Sequence, residues 1–233
     1  MTTTSFEGIV IGSIPYKETS KIVYLYTKYG KISVKALGSQ NQKKGLLPFI
    51  TTLNRVEVIT TESDFPTLKD FTLKDSYPKI KDDIKRTLWS LYIAEIISKL
   101  TPDSDHERIY PLFLRCLKLL EECDPMLIGV MFQIKMTYAF GVAPDLKKCA
   151  LCQSSDVKYF SITSGALCKN HRSGNSYDIN VLEDISRMYY FNIYNGDIKS
   201  LVINDLIKAF NVINLYYESY IQIYLKTLSS LII

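Results

Sequence analysis

Five β-branched or alternating runs fill the first 75 residues: FEGIVIGSI, SKIVYLYT, KISVKAL, LNRVEVIT and TLKDFTLKD. Turn-forming residues separate them, as expected of strands whose successive side chains point to opposite faces. In the second run Ile22, Tyr24 and Tyr26 alternate with Val23 and Leu25. Tyr29-Gly30 then interrupts the pattern, and glycine supplies the positive φ that a tight hairpin requires. In the third run Ile32, Val34 and Ala36 share one face while Lys31, Ser33 and Lys35 share the other. Five short strands with no long helix among them predict a small closed barrel, for which an OB-fold is the leading assignment.

The period changes near Lys79. KIKDDIKRTLWSLYIAEIISKL places Ile84, Leu88, Leu91, Tyr92 and Ile96 at helical spacing and stops at Thr101-Pro102. A second helix is predicted over ERIYPLFLRCLKLLEEC, with Pro111 near its first turn. A third runs over PMLIGVMFQIKMTYAF, with Pro125 at the favoured first position and Gly141 as its stop. Another follows near NVLEDISRMYYFNIYN, and a last one is predicted over residues 203–233. That last segment carries Leu206, Phe210, Ile213, Tyr217, Ile221, Tyr224 and Leu228 on one face, read as packing on the chain's own helices. Tyr216, Tyr217, Tyr220 and Tyr224 are read as core and rim aromatics, because from residue 180 onward four basic residues face five acidic ones. The expected chain is therefore α+β: a five-stranded OB-fold barrel over 1–78, an α-helical domain over 79–147 and 173–233, and a small zinc-finger-like insertion over 148–172.

Composition narrows the class without naming a function. At 233 residues, 47% hydrophobic and 22% charged, the chain has enough apolar material for a real core. A net charge of +4 is too small to argue for a polyanionic partner by itself, so distribution matters more than the sum. Five cysteines, three of them clustered, suit a reducing compartment better than a disulfide framework. Cys116 and Cys123 lie in helical patterns and read as free buried thiols. The N-terminus lacks the basic and apolar regions of a signal peptide, and no window of about 18 residues is free of polar groups. A cytoplasmic protein without a membrane segment is expected.

The most specific signal lies in CALCQSSDVKYFSITSGALCKNHR. Cys149 and Cys152 form a Cys-x2-Cys pair, fifteen residues follow, and Cys168 and His171 form a Cys-x2-His pair. Two residues between ligands let one tight loop offer two side chains to the same tetrahedral ion. Three sulfurs and one nitrogen favour Zn2+ over magnesium or calcium, which prefer oxygen. Four ligands leave no open position for water or substrate, so the expected ion is single and structural. The other histidine, His106, lacks deaminase spacing and reads as a polar residue near a helix start.

Charge distribution is the second signal. Between Pro15 and Gly45 seven lysines, Lys17, Lys21, Lys28, Lys31, Lys35, Lys43 and Lys44, stand against Glu18 alone. On an OB-like barrel Lys17, Lys21, Lys31, Lys35, Lys43 and Lys44 read either as a track for a phosphate backbone, with Tyr16, Tyr24 or Tyr29 available to stack on bases, or as a solvated strand face with unrelated lysines. No catalytic residue is predicted: phosphate-loop, nucleophile-elbow and H-E-x-x-H motifs are absent from the sequence. Asp82-Asp83 and Glu121-Glu122 read as solvated helix surface. The competing reading is a non-enzymatic zinc-containing protein-interaction adaptor whose barrel holds a partner peptide.

The stretch GIVIGSIPYKETSKIVYLYTKYGKISVKALGSQNQKKGLLPFITTLNRVEV resembles the N-terminal barrel of the bacterial recombination mediator family RecO. YKETSKIVYLYTKYGK, the loop at Gly38 and the turn LLPF are its most specific parts. FQIKMTYAFGVAPDLKKCALC resembles the family's helix running into its zinc site. The resemblance implies a DNA-repair protein without enzymatic activity, nucleoid-associated in the cytoplasm. It implies binding of single- and double-stranded DNA, annealing of complementary strands, and partnership with RecR and the acidic C-terminal tail of single-strand-binding protein. RecA would be served indirectly, by loading at gaps. His171 stands where family members commonly have a fourth cysteine, and SQNQKK carries two lysines where the family loop is often rich in arginine.

Overall fold

In the computed structural model, which describes residues 2–41 and 45–231, the alternating runs become β1 (Thr3–Tyr16), β2 (Ser20–Thr27), β3 (Gly30–Ala36), β4 (Arg55–Thr61) and β5 (Leu68–Asp75). They form one antiparallel sheet in the order β3-β2-β1-β4-β5. The outer strands meet through a parallel bridge between Lys35 and Thr67, and Lys35 donates its N–H to the Pro66 carbonyl at 2.9 Å. That join closes the sheet into the OB-fold barrel expected from the sequence. The long first strand serves two neighbours, pairing with β4 over its first half and β2 over its second. An irregularity between Val10 and Gly12 lets it bend from one to the other.

Alternation decides which side chains enter the barrel. Val10, Val23, Leu25, Val34, Ala36, Val56 and Val58 are fully buried and form its core. The LLPF turn forms a one-turn helix, α1 (Leu47–Ile50), whose Phe49 is also fully buried and lies 5.6 Å from Phe71. At the β2–β3 hairpin Gly30 has φ of +104°, as its turn position requires. A Cβ there would also come within 3.0 Å of the His106 ring, so a second constraint selects glycine.

The chain divides into two compact units, 1–121 and 122–233. In the first, the barrel is joined by α2 (Pro78–Lys81), α3 (Ile84–Ser98) and α4 (His106–Leu120). The helical run predicted from Lys79 is thus interrupted. Asp83 takes an extended conformation and its carboxylate accepts from the Arg86 N–H at 3.1 Å, capping α3. Asp83 is therefore a helix start, and Glu121 likewise accepts from the Lys79 N–H at 3.1 Å. Pro111 lies deeper in α4 than the first turn, on an exposed face where the freed carbonyl can reach water. His106 opens α4 as expected, but it is buried, with a 3.0 Å hydrogen bond between its Nδ1 and the Tyr26 hydroxyl. Cys116 is buried and Cys123 is half-buried.

The second unit is built on α5 (Pro125–Ala139), α6 (Ile179–Tyr190) and α7 (Leu206–Tyr220), with the hairpin of β6 (Val157–Ser161) and β7 (Gly165–Cys168) inserted between α5 and α6. Asp124 caps α5 and Pro125 occupies its first position. Asp184 on α6 is buried and accepts three hydrogen bonds of 2.9 Å from the N–H and amide of Asn204 and the N–H of Asp205, tying α6 to the start of α7. Lys135 reaches the carbonyls of Tyr189 and Phe191 at 2.7 and 2.8 Å, satisfying the end of α6. The last helix is shorter than its periodicity predicts. The N–H groups of Ile221 and Gln222 both bond the Tyr217 carbonyl, Gln222 has φ of +54°, and the chain turns so that Leu225 is buried while Tyr224 is 74% exposed. Tyr216 and Tyr217 are core residues, as the charge balance suggested. Among the described residues no helix is long and apolar enough to cross a membrane.

Candidate metal centre and nucleic-acid face

Backbone geometry assembles the four cysteine and histidine ligands before any ion is considered. Cys149 donates its N–H to Ser154 at 2.8 Å, and Gln153, with φ of +61°, returns a bond to the Cys149 carbonyl at 2.8 Å. The resulting turn brings Cys149 and Cys152 to the same side. Ala150 bonds the Ala166 carbonyl at 3.0 Å, which fastens that turn to β7 and to Cys168 at its end. A short 3-10 turn, Lys169–His171, then swings the imidazole back. Gly165 permits the hairpin to form: its φ is +81°, and a Cβ would lie 2.8 Å from the Asp145 carbonyl oxygen.

The four ligand atoms of Cys149, Cys152, Cys168 and His171 lie within 4.8 Å of one another. Cys152 Sγ is 3.7 Å from Cys168 Sγ, and His171 Nδ1 is 3.6 Å from Cys149 Sγ and 3.3 Å from Cys168 Sγ. A tetrahedral ion held at about 2.3 Å by sulfur and about 2.0 Å by nitrogen needs edges of roughly 3.8 and 3.5 Å. The arrangement fits, and a sulfur separation far above the roughly 2.05 Å of a disulfide excludes a covalent bridge here. Burial pushes the Cys149 thiol up, but the backbone N–H groups of Cys168, Cys152 and Leu151, with the Cys152 thiol, outweigh it and bring it down to about 6. Around Cys152 the Ser154 N–H favours the thiolate, yet burial and the neighbouring sulfurs outweigh that bond and raise this thiol. The set can therefore hold one metal ion. Leu167, Val157 and Tyr159 pack against Cys149 and Cys168, keeping water from that side.

The predicted DNA-binding lysines are distributed unevenly. Tyr24, Ser33, Ile22, Lys35 and Lys31 share the outer face of β2 and β3, because directly paired residues point the same way. Ile14 of β1 extends this face and is 44% exposed. Lys35 lies at one end with its ammonium 4.6 Å from the centre of the Phe65 ring. Lys17, in the β1–β2 turn, lies 5.4 Å from the Tyr16 ring centre, whereas Lys21, second in β2, pairs with buried Ala36 and so lies on the opposite face from Ile22. Lys31 sits at the other end, about 13 Å along β3. It donates to the Ser98 carbonyl at 2.8 Å, closing the end of α3, and burial with nearby Lys99 lowers its pKa. Lys43 and Lys44 lie outside the described residues.

Of the three tyrosines available to stack, Tyr16 is the one beside Lys17, and Tyr24 lies mid-face. Tyr29 projects from the far hairpin with Lys28 at 4.9 Å. Phe65, in the β4–β5 loop, escaped sequence reasoning. Its only signal was an aromatic residue in the turn segment SDFP, where apolar side chains have no strand to bury against.

The first unit of this architecture and much of the second have known relatives. Residues 1–77 match the family described as Recombination protein O N terminal, and residues 81–229 match Recombination protein O C terminal. The chain is 30% identical over 231 residues to a DNA repair protein RecO of Bacillus mycoides, covering 95% of this chain and 93% of the relative. It is also 30% identical over 233 residues to the DNA repair protein RecO of Bacillus cytotoxicus, with the same coverage.

Proposed function

The chain belongs to the RecO family of DNA repair proteins, and from that premise we propose that it is a recombination mediator without enzymatic activity. It binds single- and double-stranded DNA, anneals complementary strands, and helps load RecA onto DNA coated by single-strand-binding protein. RecR and the acidic tail of single-strand-binding protein are its partners, and it works in the cytoplasm at the nucleoid. The observation that carries this reading is the barrel's outer face, where Lys35 and, in the adjoining turn, Lys17 border exposed aromatic and apolar side chains on strands β1–β3 and their loops. OB-folds use this face and the adjoining loops to hold oligonucleotides. Annealing requires little chemistry: neutralised phosphates reduce repulsion between strands, and base pairing supplies the rest.

In the second unit Cys149, Cys152, Cys168 and His171 hold one structural Zn2+. The donor set of three thiolates and one imidazole supports zinc, and four protein ligands assign it a folding role. The test of the main reading is strand annealing in the presence of the cognate single-strand-binding protein. The protein is expected to speed pairing of coated complementary strands. A rate equal to that of coated strands alone, with folded protein present, counts against mediation and favours the adaptor.

A further inference from the structure

We infer that Phe65 and Tyr16 form a stacking site for unpaired bases at the mouth between the β1–β2 and β4–β5 loops. This inference rests on the DNA-binding reading above and says which part of the nucleic acid that surface recognises. The two rings meet edge to face, with centroids 6.5 Å apart and planes at 76°. Phe65 is 37% exposed although it is wholly apolar, on a loop rather than a strand. The adjoining sheet surface continues the apolar strip: Ile14 pairs with Ile22, and Ile22 pairs with Lys35, whose ammonium lies over Phe65. Lys17 stands over Tyr16 in the same manner.

Charge and aromaticity divide the work at this mouth. Glu18 follows Lys17 in the β1–β2 turn, and Glu62 and Asp64 precede Phe65 in the β4–β5 loop. Lysines attract the phosphates of single strands and duplexes alike, so electrostatics alone does not tell one from the other. An aromatic face adds an attraction that every base offers and that a paired, stacked base cannot supply. A base arriving on Phe65 displaces the Lys35 ammonium, which exchanges a cation–π contact for the phosphate of the same nucleotide. The occupant is thus single-stranded nucleic acid, gripped by its bases and flanked by lysines.

The test titrates the full-length protein with three labelled probes of equal length: a single strand, the same strand made abasic, and its duplex. Phe65→Ala is expected to weaken binding to the single strand by about 5- to 150-fold. It should leave abasic and duplex binding within about twofold and the salt slope unchanged. Phe65→Trp should restore the loss. Phe65→Leu, which keeps apolar bulk in a folded background, should show the same base-dependent loss as alanine. Equal weakening on all three probes, or undiminished single-strand binding by both Phe65→Ala and Phe65→Leu, overturns the stacking site while leaving DNA binding intact. If the unaltered protein binds none of the probes, the DNA-binding reading falls and takes this inference with it.

Discussion

Glu7 lies on β1 opposite Glu57, yet its carboxylate finds its partners elsewhere: Arg55 at 2.8 Å and the Tyr110 hydroxyl, which donates at 2.7 Å. Burial pushes this carboxyl up, but the hydrogen bonds from Arg55 and Tyr110, aided by the charges of Arg55 and Lys74, hold it below its ordinary 4.5. A carboxyl depressed in the folded state stabilises the fold above its unfolded pKa. It loses that contribution as pH falls through the folded value. Glu7→Gln is therefore expected to lower the unfolding free energy measured by urea titration at neutral pH, by about 1 kcal/mol or less for so exposed a pair. The difference from the unaltered protein should shrink as the pH falls below the ordinary 4.5 and through the lower folded value. A gap that stays constant with pH would show that Glu7 acts through packing alone. None of this is visible in FEGIVI, where Glu7 reads only as an outward polar position; the register with β4 and the docking of α4 create its surroundings.

At the scale of elements, the gathering of Cys149, Cys152, Cys168 and His171 was the part most legible from the chain. The four residues fall within a span of 23 positions, from Cys149 to His171, so spacing alone constrains their geometry. Cys149→Ser removes the most deeply buried ligand sulfur. It is expected to lower bound zinc from one ion per chain to a small fraction. It should also lower the melting temperature by at least about 2–4 °C, the shift expected for about 1 kcal/mol in a chain of this size. Elemental analysis and a melting curve with and without chelator check both outcomes, and unchanged values would show that the four residues hold no ion. The helix ends were less legible. Periodicity carried the last helix to residue 233, whereas Gln222 ends the regular turn and sends Leu225 inward. An amphipathic pattern reports which face can be buried, and the surface available to cover it decides how far the helix runs.

For the whole molecule, binding of a polyanion is a property of charges brought together from separate strands and loops. Lys17, Lys21 and Lys35 come from the first turn, the second strand and the third strand, and closure of the barrel places the β4–β5 loop beside them through the Lys35–Thr67 bridge. Replacing those three lysines by alanine is expected to flatten the plot of log affinity for single strands against log salt by about 2, from roughly 0.7 per phosphate contact. An unchanged slope would move the phosphate-binding surface to other residues. Lys31 is expected to contribute less to that slope than Lys35, since its ammonium already serves the end of α3.

What the sequence by itself determined is local or periodic. Alternating runs implied the five strands, a change of period near Lys79 implied the helices, and two-residue gaps implied the metal ligands. Each signal depends on neighbours within a few residues, where chain geometry leaves few alternatives. Only the tertiary structure decided which lysines lie over aromatic rings and which closes the end of a helix. The same closure put Phe65 beside Tyr16, 49 positions away in the chain, and Glu7 beside Tyr110, 103 positions away. Such pairings follow from sheet register, barrel closure and helix docking, which are set by the burial of the core as a whole rather than by any segment's own composition.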